Sequence, residues 1–388
     1  METNSSDNML KKYFREYYES WKSPVPDLIS SREIGFIPFY GSMIRHLGLR
    51  NSGEVDAFVK RNVPRHLYYS TAYYRFPYEK KMEMKEWMGA ELIFDLDADH
   101  IEGAEKMRYD EILAKVKEHT LRLVEKFLIG TFGFEDEDLK IFFSGGRGYH
   151  VHVLSERIYN LTSDGRREIA DYIRGEGLNA EEFRKLGVVN YREASGWVNF
   201  IDRKFTEIYQ KYSEEDESIY EDAILLNTFK KREQVEEYFS RMKTVKISRK
   251  AVSKVNLLKE PGMEKYRYMT RDDQTVLQNL ISRLQKEDAA EIDEPVTTDV
   301  HRLIRYPFSL HGKTGLMVYP VTINSMREFD PLEEAVNPIL KGKTAKINVV
   351  KPLKIRFNSE AYSLSPGETD LPLDLSVFIV ASRMGNFI

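Results

Sequence analysis

The sequence lacks cysteine, long apolar runs and an excess of either charge. With no cysteine among 388 residues, disulfide bonds and cysteine-ligated zinc or iron–sulfur sites are excluded. We find no run of about 18 apolar residues that would cross a bilayer, and the polar, then amphipathic start is unlike a signal peptide. The 58 basic and 62 acidic residues give a net charge of −4. We therefore expect an intracellular, cytoplasmic protein without a membrane anchor.

The distribution of strand and helix patterns predicts an α/β (α+β) protein with an insertion. Residues 1–158 and 287–388 contain the strong strand patterns, with a helical pattern at about 103–128 between two of them. Residues 159–286 contain several helical blocks and few strand signals. We predict one catalytic core built from residues 1–158 and 287–388, interrupted by a helical insertion at residues 159–286.

The stretch ELIFDLDADH, residues 91–100, is the centre of the functional argument. An apolar strand pattern ends in Asp95 and Asp97, and side chains two apart on a strand project from the same face. Two adjacent carboxylates repel each other unless a cation lies between them. The pair therefore suggests a site for two divalent metal ions. The alternative is a strand end whose acids face solvent.

A glycine-rich turn, SGGRGYH, follows at residues 144–150. Its glycines allow the backbone to approach a phosphate, Arg147 can bind phosphate oxygens, and Ser144 and His150 add donors. It lacks the Gly-Lys-Ser/Thr ending of a P-loop. The alternative is an ordinary turn between two strands.

A third polar segment, IDEPVTTDVHRLIRYPFSLHGKTG, covers residues 292–315. Asp293 is a candidate third metal carboxylate, and the segment's basic side chains suit a triphosphate or a nucleic-acid backbone. Taken alone, the segment is equally compatible with an exposed polar connection.

Together these three segments resemble the signature motifs of the small, catalytic subunit of archaeo-eukaryotic DNA primases. Their order and spacing match, and the similarity is strongest at about residues 88–153 and 290–323. The resemblance implies a primase core with an RRM-like mixed sheet flanked by helices, plus an inserted helical subdomain.

The resemblance also implies residue roles. Asp95, Asp97 and Asp293 match the aspartates that hold two Mg²⁺ or Mn²⁺ ions. Ser144, Arg147 and His150 match residues that hold the triphosphate of the incoming nucleotide. Arg305 matches a basic phosphate-binding residue, and His311 a nucleotide-contacting histidine. Arg302 and Arg32 match less closely.

The implied activity is template-directed nucleotidyl transfer that makes short primers on single-stranded DNA from NTP or dNTP. The implied partner is a large primase subunit, which suggests localisation at the nucleoid. Many archaeal relatives have a cysteine- and histidine-ligated zinc site soon after the aspartate pair. Here that region has His100 and His119 but no cysteine, so we expect no zinc.

Two other functions are alternatives to nucleotidyl transfer. A metal-dependent nuclease would need the acids but not the triphosphate-binding set, and a non-catalytic DNA-binding subunit would need neither. Basic stretches at residues 240–259 and 341–357, with seven and six Lys or Arg and no acid, suit a template backbone or a solvated face. A tyrosine cluster suits base stacking or, more simply, core and rim packing. Its members are Tyr68, Tyr69, Tyr73 and Tyr74.

Overall fold

The computed structural model divides the chain into two compact units. The first comprises Met1–Ala170 and Ala290–Ile388, and the second Asp171–Ala289. The second unit begins later than the predicted helical insertion and ends slightly later, so the insertion at residues 159–286 stays a prediction. The residues whose structure is described are 5–22, 25–101, 103–189, 196–242, 244–247 and 250–388.

Helices are present in both units. In chain order they are α1 (Ser5–Ser20), α2 (Ser52–Asn62), α3 (Tyr109–Arg122), α4 (Ser163–Arg174), α5 (Ala180–Val189), α6 (Gly196–Ser213), α7 (Ala223–Phe229), α8 (Arg232–Ser240), α9 (Lys254–Leu258), α10 (Arg271–Asp288), α11 (Glu294–Thr298), α12 (Pro331–Glu334) and α13 (Leu373–Ala381). A π-helical segment, Leu123–Ile129, continues α3. No helix in these described ranges is long and apolar enough to cross a membrane.

The strands form antiparallel sheets and hairpins. They are β1 (Glu33–Ile37), β2 (Ile44–Gly48), β3 (His66–Ser70), β4 (Ala72–Tyr74), β5 (Trp87–Ala90), β6 (Leu92–Asp97), β7 (Leu139–Phe143), β8 (Gly148–Val153), β9 (Thr244–Ile247), β10 (Lys250–Ser253), β11 (Leu303–Arg305), β12 (Tyr319–Val321), β13 (Thr344–Val349), β14 (Leu353–Phe357), β15 (Glu360–Leu364), β16 (Gly367–Pro372) and β17 (Gly385–Phe387). The α+β class is therefore confirmed.

Two four-stranded sheets form the centre of the first unit. Their strand orders are β11-β3-β1-β2 and β12-β7-β8-β6. In the second sheet, β6 and β7 both pair with β8 in the antiparallel sense, so β6 and β7 run parallel on either side of it. With α3 between them they form a split β–α–β unit. Every neighbouring pair among the described strands is antiparallel, so the sheet is not mixed in its hydrogen bonding.

The first unit is assembled from two distant chain segments. Strand β11 pairs with β3, and β12 pairs with β7, so residues after Ala290 complete both central sheets. The apolar helix α13 is buried along its whole length, as its composition predicts.

Local signals in the sequence set the boundaries of the first two helices. The side chain of Asn51 caps α2 by accepting a hydrogen bond from the amide of Glu54. The helix ends at Val63, whose φ of 46° is left-handed, before Pro64. Pro26 lies beyond the end of α1 and cannot continue a helix, and Pro24 lies outside the described residues.

The basic stretches are partly occupied by internal contacts. In residues 240–259, Lys254 is buried and forms an ion pair with Asp273, while residues 243, 248 and 249 lie outside the described chain. In residues 341–357, Lys346 and Arg356 form ion pairs with Glu368 and Asp330. A template-binding role for either stretch stays a prediction.

Candidate active site

The aspartate pair lies at the end of β6. Its apolar residues Leu92, Ile93 and Phe94 are buried, which fixes the strand in the sheet. In the pairing with β8, Asp95 is opposite His150 and Asp97 is opposite Gly148. The two aspartates, which are half-buried, lie two residues apart and so share one face of the sheet.

Asp293 meets this strand from the distant part of the chain. Its backbone amide donates a 2.8 Å hydrogen bond to the carbonyl oxygen of Asp95. It also lies directly before α11, whose second residue is Pro295. The fold therefore brings the third predicted acid next to the aspartate pair.

The mutual repulsion of these acids contributes to a raised pKa of Asp95. Burial, together with the charges of Asp97 and Asp293, raises the pKa of Asp95 from its ordinary 3.8 to about 7. Arg305 and Arg302 oppose this effect. A cation would relieve both the repulsion and the burial cost of the ionised form, so the donor set fits a hard metal ion.

The acids do not by themselves form a closed metal cage. In the part of the chain that the structure describes, no three or more His, Asp or Glu side chains are grouped closely enough to hold an ion. Magnesium sites commonly use only one or two carboxylates, with water and substrate phosphates completing the shell. An open acidic site of this kind is suited to a phosphate-bearing substrate.

The glycine turn between β7 and β8 is held close to the acids. The amide of Ser144 donates to the carbonyl of Gly148 (2.9 Å), and the amide of Gly146 donates to the Ser144 hydroxyl (3.2 Å). Gly145 has a φ of 75°, which favours glycine. A Cβ at Gly148 would lie 2.2 Å from the carbonyl oxygen of Leu96, so only glycine fits there.

Arg147 connects the turn to the acids. Its guanidinium lies 2.5 Å from a carboxylate oxygen of Asp99 and 3.7 Å from one of Asp97. The side chain is 41% exposed, so it can exchange these partners for those of a ligand.

His150 lies behind the acids as a neutral side chain. Its Nε2 is 3.6 Å from Asp95 Oδ1, which is beyond hydrogen-bonding distance. Burial lowers the pKa of His150 well below its ordinary value, and the positive charges of Arg305 and Arg302 contribute to this. Its Nδ1 has no hydrogen-bond partner within the described ranges.

Arg305 and His311 form the opposite side of the site, and His66 joins them. The Arg305 guanidinium lies 2.8 Å from His66 Nδ1 and over the ring of Tyr68, 5.3 Å from its centroid. The rings of His66 and His311 are 5.0 Å apart and nearly perpendicular. Burial, followed by the charge of Arg305, lowers the pKa of His66 to about 2, so its Nδ1 accepts the hydrogen bond from Arg305.

A cavity of about 490 Å³ opens between these groups. It is lined by four predicted site residues, Asp97, Arg147, Arg305 and His311, and by additional basic and polar side chains. Those additional side chains include Arg65, Tyr109, Lys313 and Arg383. The other predicted residues, Asp95, Ser144, His150 and Asp293, are not among the described lining residues, although Asp95 lies on the same strand as Asp97 and Asp293 is hydrogen-bonded to Asp95. Basic groups thus face the acidic corner, the name used below for Asp95, Asp97 and Asp293.

Arg32, one of the two arginines that match the family less closely, lies in the core and not at the site. It is fully buried, donates to Tyr73 and the carbonyl of Ser70, and forms an ion pair with Glu91. It therefore stabilises the packing of β1 against the strands around it and is not part of the cavity lining.

The comparisons with known proteins identify the family of this chain. The model of the DNA primase small subunit family matches residues 94–323. The chain belongs to the DNA primase small subunit family. DNA primase small subunits from Picrophilus torridus and Thermoplasma volcanium are 46% and 37% identical to it. The first alignment covers 97% of both chains, and the second covers 99% of this chain and 98% of the relative.

A more distant similarity was found among solved structures. The polymerase domain of Mycobacterium tuberculosis ligase D, in complex with DNA, aligns with a TM-score of 0.32 and 11% identity over 84% of this chain and 83% of that one. The family assignment rests on the primase relatives. As a DNA primase small subunit, the chain is a DNA-directed nucleotidyltransferase of DNA replication.

Proposed function

We propose that the acidic corner and the basic cavity together form the nucleotidyl-transfer site of this primase. In this proposal Asp95, Asp97 and Asp293 hold two Mg²⁺ or Mn²⁺ ions. When bound, the metal supplies activation of a 3′-hydroxyl and stabilisation of the leaving pyrophosphate. Support comes from the backbone hydrogen bond between Asp293 and Asp95 and from the raised pKa of Asp95, to which the charges of Asp97 and Asp293 contribute.

The basic side chains of the cavity bind and orient the triphosphate. Arg147 and Arg305 offer planar guanidinium groups that match phosphate oxygens in pairs, and Lys313 adds a third positive charge. Positioning of this kind, together with charge neutralisation, is the main protein contribution to phosphoryl and nucleotidyl transfer. No protein side chain is required as a nucleophile.

Polar groups of the glycine-rich turn and of the third polar segment, residues 292–315, complete the binding of the nucleotide. Ser144 fixes the turn through its hydroxyl, and the neutral rings of His150 and His311 each offer one N–H donor. Because both rings are buried and uncharged, they donate hydrogen bonds without repelling the arginines. Their role is to orient the nucleotide.

Single-stranded DNA is the proposed template, and a large primase subunit the proposed partner. Both follow from membership of a family named for a small subunit of DNA primase. A nuclease would use the acids equally well, but it has no need for a cavity in which Arg147, Arg305, His311 and Lys313 converge. That convergence is the observation that carries the proposal.

A primer-synthesis assay on single-stranded DNA tests the proposal. We expect Arg147→Ala to lower kcat/KM for the nucleotide about 10- to 100-fold, which corresponds to the loss of a charged hydrogen bond of about 1.5–3 kcal/mol. Arg147→Lys should recover part of the lost kcat/KM. Arg157→Ala is the matched control, because Arg157 is exposed and pairs with Asp138 outside the cavity.

The products distinguish the alternatives. Elongated labelled products support the transferase, shortened template indicates a nuclease, and retention of DNA without either indicates a binding subunit. Unchanged nucleotide kinetics in Arg147→Ala, with Arg157→Ala equally active, would contradict the assignment of the basic cavity.

A further inference from the structure

A second cavity lies along the same strand as the active-site histidine. His150 and His152 are two residues apart on β8 and so project from one face of the sheet. His150 adjoins the acids, whereas His152 lines a separate cavity of about 310 Å³. Within the described chain, none of the residues proposed above for catalysis or nucleotide binding lines this second cavity.

A buried network fixes the tautomer of His152. Its Nδ1 lies 2.8 Å from Glu91 Oε2, and Glu91 in turn forms an ion pair with the buried Arg32. Because Glu91 is ionised in this pair, His152 Nδ1 carries the proton and donates it to the carboxylate. In the neutral ring with this tautomer, the second nitrogen, Nε2, is an acceptor.

That acceptor is buried and unused. His152 is 2% exposed, and its Nε2 has no hydrogen-bond partner among the residues that the structure describes. A buried acceptor without a partner is costly, and native structures contain few of them. A ligand in the cavity that donates an N–H group would satisfy it.

The walls of the cavity suit a flat aromatic ligand. Its lining is largely apolar and includes Tyr69, Phe142, Phe308 and Pro320. The His152 ring is parallel to Tyr69 at a centroid distance of 6.2 Å and perpendicular to Phe142 at 5.3 Å. Flat rings gain most in such surroundings by stacking.

A charged group stands at the exposed side of this cavity. Lys140 is opposite His152 in the pairing of β7 with β8, is 48% exposed, and lies 2.7 Å from Asp27. An ammonium group at this point can also contact a phosphate attached to a bound ring. The cavity thus combines an aromatic body, one deep acceptor and a cation.

We propose that this second cavity binds a nucleobase whose N–H group donates to His152 Nε2. Each common base has an N–H donor on its pairing edge and a face for stacking. A nucleotidyltransferase acting on DNA encounters such bases both in free nucleotides and in single-stranded template. The site is distinct from the triphosphate cavity and does not depend on the catalytic roles proposed above.

Binding to the full-length chain tests this site. We would titrate the protein, without divalent metal, with the fluorescent nucleoside 2-aminopurine riboside and with a single-stranded oligonucleotide carrying the same base. Leu154→Trp fills the cavity without altering the His152–Glu91 pair, and His152→Phe removes the acceptor while keeping a ring. Asp95→Asn/Asp97→Asn changes only the proposed catalytic site, and His119→Phe is the histidine control.

We expect both cavity variants to weaken binding of the probe about tenfold or more, the loss of one buried hydrogen bond or of ring packing. The catalytic variant and His119→Phe should bind as the parent does. Loss of nucleoside binding identifies free nucleotides as the source of the base, and loss of oligonucleotide binding alone identifies DNA.

Three results would overturn the proposal. These are no binding of either probe, binding that survives both cavity variants, and binding lost only in the catalytic variant. Since His152→Phe disturbs a buried network, its fold is checked by circular dichroism. The nitrogen chemical shift of His152 Nε2 in the unmodified protein provides a second readout, which should move on addition of the nucleoside. Failure of the primer-synthesis tests would leave this result unaffected.

Discussion

Replacing Asp95 with asparagine separates the cost of the acidic corner from its chemistry. The change keeps the shape of the side chain but removes its charge. In the absence of metal, ionised Asp95 faces both burial and the charges of Asp97 and Asp293. We therefore expect Asp95→Asn to abolish primer synthesis while making the metal-free protein more stable.

The magnitude follows from the pKa of Asp95. A rise from 3.8 to about 7 amounts to roughly 4 kcal/mol at about 1.36 kcal/mol per unit. Since the side chain is 22% exposed, water screens part of this, and we expect about 2–4 kcal/mol. The native state holds the proton more tightly than the unfolded chain, so parent stability falls as pH rises from about 4 to about 7. The gain in the free energy of unfolding of Asp95→Asn over the parent is absent below pH 4 and complete above pH 7.

Urea-induced unfolding with a chelator, at pH 4 and pH 8, measures this difference. Added Mn²⁺ should stabilise the parent at pH 8 and stabilise Asp95→Asn much less, because metal binding to the native state adds to its stability. Asp136→Asn, the same change at an exposed acid, is the control. A variant no more stable than the parent at pH 8, or a parent indifferent to Mn²⁺, would refute the reasoning.

Two further predictions concern buried polar groups. His66→Phe should lower kcat/KM for the nucleotide about 10- to 100-fold, since Arg305 loses its 2.8 Å acceptor, whereas His66→Asn should retain more activity. Because the pKa of His66 is lowered to about 2, this loss should be the same at pH 6 and pH 9, and a loss that varies with pH would contradict it. Glu91→Gln should lower the free energy of unfolding by about 3–5 kcal/mol in urea, since it leaves buried Arg32 without a counter-charge. The pKa of Glu91 is lowered to about 2, so its contribution to the free energy of unfolding is complete above about pH 4.5 and is lost only as pH falls towards 2. Loss of this contribution at a higher pH would contradict the pairing of Glu91 with Arg32.

Local patterns in the sequence predict much of the site. Asp95 and Asp97 end an apolar strand, and the glycines of the turn at residues 144–150 mark a close backbone approach. Both features can be recognised from a few consecutive residues. The segment around Asp293 offers it only as a candidate third carboxylate, and the resemblance to a family is what assigns it to the same site as Asp95 and Asp97. Its position depends on a contact between residues 198 apart, which no local pattern encodes.

The residues that sequence reasoning misplaced or missed are those defined by distant pairing. Arg32 has the chemistry of a phosphate ligand, but Glu91 neutralises it inside the core. His66 reaches the site because β3 pairs with β11, and its part in holding Arg305 has no signature in its own neighbourhood. The split order of β6, β8 and β7 is likewise a property of the assembled sheet and not of any one strand.

The two-segment construction of the first unit has a consequence during synthesis. Strands β3 and β7 leave the ribosome early, yet their outer neighbours β11 and β12 follow only after the second unit, Asp171–Ala289, has been made. At roughly 5–20 residues per second, those 119 residues take about 6–24 s. Throughout that interval two strand edges have free amide and carbonyl groups. The nascent chain therefore passes through a period in which it is most vulnerable to wrong pairing, and ribosome pausing within the second unit would prolong it.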